Sequence, residues 1–180
     1  MMSYMLAGLL LSGCAGSKTG PSLKDAGIPD FIQNPPQQNG ALFGTGIASL
    51  QSIQVARETA DLRARKEIAS ALSGKVANVL SDYLDQAGIG SKAEVEDLAK
   101  SIARALADAD LSGLRIEKRE PFKGRIYSLA RYPLDDSMKK LVSRTLSREL
   151  SSRKTLLAQF QEKQAFDELD RELDKIKFSK

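Results

Sequence analysis

Histidine and tryptophan are absent from this 180-residue chain, and cysteine occurs once, at Cys14. Without a second cysteine or any histidine, an internal disulfide framework and a zinc site of the usual soft ligands are both excluded. The commonest general base is missing too, so the chain reads as non-catalytic, with no cofactor and no small-molecule substrate. The carboxylates do not restore a site. Asp108 and Asp110 lie in D-A-D-L-S-G, which lacks the further oxygen ligands and closing glutamate of a calcium loop. Asp135 and Asp136 precede a helix, where capping and the helix dipole account for them. Charge is scarce at the start: Met1 to Leu11 carries no charged side chain. That segment is about half the roughly twenty residues a membrane-spanning helix needs, and it fits the apolar region of an export signal. Such signals open on Lys or Arg, so the natural start is expected upstream.

What the segment does have is Leu11-Ser12-Gly13-Cys14. It looks like a bacterial lipobox, in which cysteine is diacylated on sulfur, residues 1–13 are cut away as a signal peptide, and the new amino terminus is acylated. Small residues let a peptidase reach the backbone, and the thiol is the best nucleophile for lipid transfer. Buried acyl methylenes contribute about 0.8 kcal/mol each, so several chains on Cys14 hold more firmly than one myristate. The alternative is a buried free cysteine in an N-terminal helix, which leaves the following linker unexplained. The residue after Cys14 is Ala15 and not the aspartate that retains lipoproteins in the inner membrane of enteric-type bacteria, which favours the outer membrane.

Residues 14–40 form a tether and strap. Ala15 to Gly40 holds four of the six prolines with much Gly, Ser, Gln and Asn, a composition that cannot offset its ordering entropy, and its first half reads as a flexible tether. In the second half, Phe31 and Ile32 stand beside the Pro29-Asp30 turn signal, and Asn34-Pro35-Pro36 favours a stiff path. This half is expected to strap onto the folded domain through Phe31 and Ile32.

Residues 41–134 read as one α+β domain. In ALFGTGIAS, Phe43, Thr45 and Ile47 share one strand face, and Leu42, Gly44, Gly46 and Ala48 the other. The G-x-G is not a dinucleotide fingerprint, because Ser49 stands where the third glycine belongs and no βαβ alternation follows. The glycines instead permit a helix to pack closely. That helix is expected from Val55 to about Leu84, with Ala56, Ala60, Ala64, Ile68, Leu72, Val76, Val79 and Tyr83 along one stripe. After Gly88 and Gly90, Ser91 and Glu94 form a capping box for a second helix with Val95, Leu98, Ala99, Ile102, Ala103 and Leu106 on its apolar face. Two strands follow, GLRIEKRE and GRIYSLARY, as a hairpin joined across the four residues Pro121-Phe122-Lys123-Gly124. The economical assembly is a three-stranded, mainly antiparallel sheet packed by helices in the order β-α-α-β-β-α.

Residues 135–180 read as helix almost to the end, a long C-terminal helix with a weak point at Ser151-Ser152. Phe166, Leu169, Leu173 and Ile176 form a coiled-coil-like seam that packs on the domain or on a partner.

These segments together resemble a family. The lipobox, PDFIQNPP, FGTGIAS, RETADLRARKEIA, YSLARYPL and AFDELDREL are similar to stretches of the LPP-type bacterial lipoproteins, which include the twenty-kilodalton antigenic lipoprotein of gastric Helicobacter and FlgP-like flagellar-motility lipoproteins. Where members often have tryptophan after the Pro-Asp pair, this chain has Phe31, which keeps an aromatic anchor. The resemblance implies an outer-membrane lipoprotein without an active site and a dodecin-like or TNF-inducing-protein-like fold. Its role would be structural or antigenic, and the partner another copy or an envelope or flagellar protein.

Charge is unevenly placed. Residues 112–154 carry 12 Lys and Arg against 5 acids, whereas residues 14–111 carry 10 against 12. A basic hairpin could meet anionic lipid, lipopolysaccharide phosphate, acidic glycan or an acidic protein, with Arg115, Arg119 and Arg125 as candidates. The alternative is a solvated face whose arginines pair with Glu117 and Glu120. No nucleic-acid motif occurs. Two functional readings stand: a lipid-anchored protein that self-assembles or docks on an envelope machine, and a monomeric binding module for an anionic ligand.

Overall fold

A computed structural model describes residues 27–49 and 52–178. It is α+β, with strand β1 (Ala41–Ser49), helices α2 (Ile53–Ala87) and α3 (Lys92–Ala107), strands β2 (Arg115–Phe122) and β3 (Arg125–Pro133), and a helical C-terminal segment. A one-turn helix α1 (Asp30–Gln33) precedes β1. The three strands form one antiparallel sheet in the order β1-β3-β2. The last strand in sequence is thus the central one, and its Ile126, Tyr127, Ser128, Leu129 and Ala130 are all buried, as a strand covered on both faces requires.

Helix α2 covers one face. Its buried residues recur every fourth position, at Ala56, Ala60, Ala64, Ile68, Leu72, Val76, Leu80 and Leu84. Four residues turn about 400°, so each step moves the stripe about 40° around the helix. The alanines therefore face the sheet, while the larger residues further on face α3 and the C-terminal helices. Val79 is only half-buried, and Leu80 takes the place expected of it. At the sheet, glycine meets alanine. A β-carbon on Gly46 would sit 2.7 Å from the Ala64 nitrogen and closer still to the Ala60 carbonyl oxygen; one on Gly44 would sit 2.8 Å from Ile68 Cγ1. Only glycine permits this approach.

Ser91 caps α3 through the reciprocal capping box with Glu94. The β2–β3 hairpin is tighter than the spacing suggests. Its loop is Lys123-Gly124 alone, with φ of 45° and 70°, the left-handed pair that a type I′ turn demands. Pro121 and Phe122 belong to β2 itself. Proline is tolerated there because β2 is an edge strand. The ladder slips between Ile116 and Lys118, leaving a bulge at Glu117.

The C-terminal segment is α4 (Asp136–Ser151), α5 (Lys154–Glu162), α6 (Ala165–Asp174) and a closing 3-10 turn, Lys175–Phe178. The first break falls at Ser152-Arg153, beside the expected weak point. The second, at Lys163-Gln164, carries no Gly or Pro, and Gln164 takes φ 52°. The seam packs on its own domain: Leu169, Leu173 and Ile176 are buried with Leu72, Val76, Leu80 and Met138 in one core that runs across the boundary at residue 134. Polar contacts fasten these helices. Lys163 donates to the carbonyls of Ala87 and Gly88 at the C-terminus of α2, and Gln159 accepts from the Gly90 amide at 2.7 Å. Lys139 bridges Asp174 at 2.6 Å and Asp170 at 3.6 Å.

Candidate functional site

The strap lies on the sheet face opposite α2. Phe31 is buried against Tyr127 and Leu129, with Ile28, Ile32, Phe43, Ile47 and Phe122 half-buried around it. Strand alternation puts these sheet residues there, since Phe43 opposes Arg131 and Ile47 opposes Tyr127. Docking by Phe31 and Ile32 is as expected from the sequence. The strap's one helical turn is held by Asn34, whose amide side chain donates to Asp30 at 2.9 Å.

The three arginines singled out in the sequence do not converge. Arg115 pairs with Arg131, and Arg125 lies opposite Phe122, so the two stand at opposite ends of the strap face, about 20 Å apart along β3. Arg119 is on the other face. It grips Asp61 of α2 with its Nε 3.0 Å from Oδ1 and one terminal nitrogen 2.6 Å from Oδ2. Ser128, opposite Arg119 in the ladder and fully buried, donates to Asp61 Oδ1 at 2.7 Å. Burial pushes the Asp61 carboxyl up, but hydrogen bonds from Arg119 and Ser128 outweigh it and hold its pKa below 3.8. Arg119 is thereby a clamp between β2 and α2. Glu117, a suggested partner for the hairpin arginines, lies 3.7 Å from one of them, Arg131. Arg115 and Arg125 have no salt bridge among the described residues. Cys14 lies outside the described residues.

Asp61 and Glu67 escaped sequence reasoning because nothing in RETADLRARKEIA distinguishes them from solvated helix charges. Glu67 Oε2 accepts from the Thr45 amide at 2.6 Å and from its hydroxyl at 2.9 Å, and Arg63 donates to the Ile47 carbonyl. The free edge of β1 is thus capped by α2 side chains, while β2 guards its own edge with charges, a proline and a bulge.

Three further carboxylates sit at helix ends or in an ion pair. Asp135 accepts from the amides of Ser137 and Met138 at the start of α4, Asp97 pairs with Arg153 at 2.7 Å, and Asp108 ends α3. Among the described residues no three His, Cys, Asp or Glu side chains are grouped to hold a metal ion, and no helix is long and apolar enough to cross a membrane. A surface depression of about 450 Å³ is lined by Glu94, Asp97, Arg153 and their neighbours. Its two carboxylates serve the α3 cap and the Arg153 bridge. No family model matches this chain, nor does any curated protein.

Proposed function

We propose that this chain is a lipid-anchored protein of the bacterial cell envelope, held to the outer membrane by acyl chains on Cys14. Its role there is non-catalytic, structural or interaction-based, with self-assembly of the LPP, flagellar-motility type as its setting. The observation that carries this reading is Leu11-Ser12-Gly13-Cys14, placed after an uncharged apolar run and before a Pro- and Gly-rich linker. The fold is compatible with it. The linker's second half is a strap on the sheet, so a tether on Cys14 leads directly to the domain, and Asp135 accepts from the first amides of α4. Intact mass and membrane fractionation of wild type and Cys14→Ala in the native host test the reading. Added acyl mass, a mature start at Cys14 and loss of membrane association in the variant are expected. A free thiol with residues 1–13 still attached overturns it.

A second reading, a monomeric binding module or host-contact antigen for an anionic envelope ligand, is favoured by the unbridged Arg115 and Arg125. Sedimentation velocity separates the two: a high oligomer supports self-assembly, a monomer the binding module.

A further inference from the structure

The end of the sheet at which the described chain begins combines exposed apolar residues with basic ones. Gly27 lies against the Phe122 ring so closely that a β-carbon there would be 3.0 Å from both Cε atoms and nearer still to Cζ. The strap therefore begins beside the Lys123-Gly124 turn. The first turn of α2 is at the same end, because Ser49 pairs with Arg125 and Ala48, Ala56, Ala60 and Ile126 form one buried cluster. In that turn Ile53 and Val55 stand in solvent, 62% and 57% exposed. Single exposed apolar residues are ordinary. Two of them at the end of the sheet that also carries Arg57, Lys123 and Arg125, where the strap begins, are a combination of another kind; Glu58 and Glu120 are acids at the same end. The tether adds Lys18 and Lys24 against one acid, Asp25.

We propose that this end of the molecule docks on an anionic lipid bilayer, Ile53 and Val55 entering the headgroup layer while Arg57, Lys123 and Arg125 meet lipid phosphates. The inference rests on the acyl anchor at Cys14. Even fully extended at roughly 3.3–3.6 Å per residue, the chain from Cys14 to Gly27 spans no more than about 45 Å, so the anchor keeps this end near the surface. Exposed apolar groups and basic residues are the two ingredients by which a non-spanning surface binds anionic membrane. The far end of α2 lies about 50 Å away along the helix.

The test uses the full lipidated chain in vesicles of phosphatidylcholine with and without phosphatidylglycerol. An environment-sensitive thiol label is placed by Val55→Cys or, as control, by Gln86→Cys, both at exposed positions. With the Cys14 sulfur acylated, each variant takes one label. In anionic vesicles a lipid-borne quencher is expected to suppress the label at position 55 several-fold more than that at position 86. Lys123→Gln and Arg125→Gln are each expected to lower the docked-to-undocked ratio about fivefold. Equal quenching at the two positions, with one label per chain and flotation intact, refutes docking and leaves the anchor standing. Two labels per chain instead expose a free Cys14 and overturn the anchor itself. Quenching at position 55 that ignores both charge and phosphatidylglycerol refutes the anionic partner, as does cross-linking of copies through that position.

Discussion

Substitution of Gly46 by alanine probes the contact on which the sheet and α2 depend. The added β-carbon would lie 2.7 Å from the Ala64 nitrogen and closer to the Ala60 carbonyl oxygen. Both are backbone atoms of a 35-residue helix, which cannot rotate aside as a side chain would. Relief requires the helix to retreat on the order of 1 Å, loosening Ala56, Ala60 and Ala64 together. Overpacking of this kind costs about 1–3 kcal/mol, and a backbone clash belongs at the upper end. For a chain of this size about 3 kcal/mol corresponds to a fall in Tm of roughly 6–12 °C. Gly74→Ala is the internal control, since it lies in the same helix with nothing within 4 Å of its added carbon. Alanine there improves helix propensity and is expected to stabilise by about 0.5–1 kcal/mol. Urea and thermal unfolding of the two variants in a Cys14→Ala background should therefore shift in opposite directions. Gly46→Ala within about 0.5 kcal/mol of its parent would mean that the helix does not press on the strand as described.

Asp61→Asn should cost about 1–2 kcal/mol, less than a buried charged pair because Arg119 is half-exposed and can be solvated. The folded Asp61 pKa lies below its ordinary value, so its contribution is present above pH 3.8 and lost as pH falls through the folded value. Acid unfolding of the variant should lack that component, and an unchanged acid limb would count against the clamp. Tyr83 donates to Glu168 at 2.9 Å, and burial, then that bond, push its pKa up to about 12. The neutral phenol is favoured in the fold, so its contribution is complete below pH 10 and fades as pH rises through 12; Tyr83→Phe should lose about 1 kcal/mol and flatten the alkaline limb of a pH–stability curve. Phe31→Ala should cost about 3 kcal/mol of strap docking. Amide exchange over residues 28–34 would accelerate, whereas unchanged protection there would show that Phe31 does not hold the strap.

Local signals are legible in the sequence because local chemistry decides them. Ser91 with Glu94, the docking of Phe31 and Ile32, and the small-residue face of β1 all follow from spacing and residue type, and the element order followed from these. The tighter turn was missed because Pro-x-x-Gly fits a four-residue loop; the open edge of β2 is what allows Pro121 into the strand. The break at Lys163-Gln164 has no breaker residue. It is set by tertiary contacts, among them Lys163 on the end of α2 and the tilted packing of Phe160 on Phe166. Arg119 stands apart from Arg115 and Arg125 for a similar reason. The bulge at Glu117 shifts the residues after it to the other face, and the partner of Arg119 lies 58 positions away in sequence.

The central place of β3 also governs how the chain assembles itself. Residues 41–49 can find no strand partner until residues 125–133 have been made, whereas the β2–β3 hairpin and the α2–α3 pair close over short loops. During that interval β1 is an unpaired strand with Leu42, Phe43 and Ile47, the kind of segment that invites wrong association. The element synthesised immediately after it is α2. Its alanines can settle on Gly44 and Gly46 at once, and Glu67 and Arg63 can occupy the outer rim of the strand. The close glycine–alanine fit thus acts in time as well as in space, giving the first strand a cover while it waits for β3.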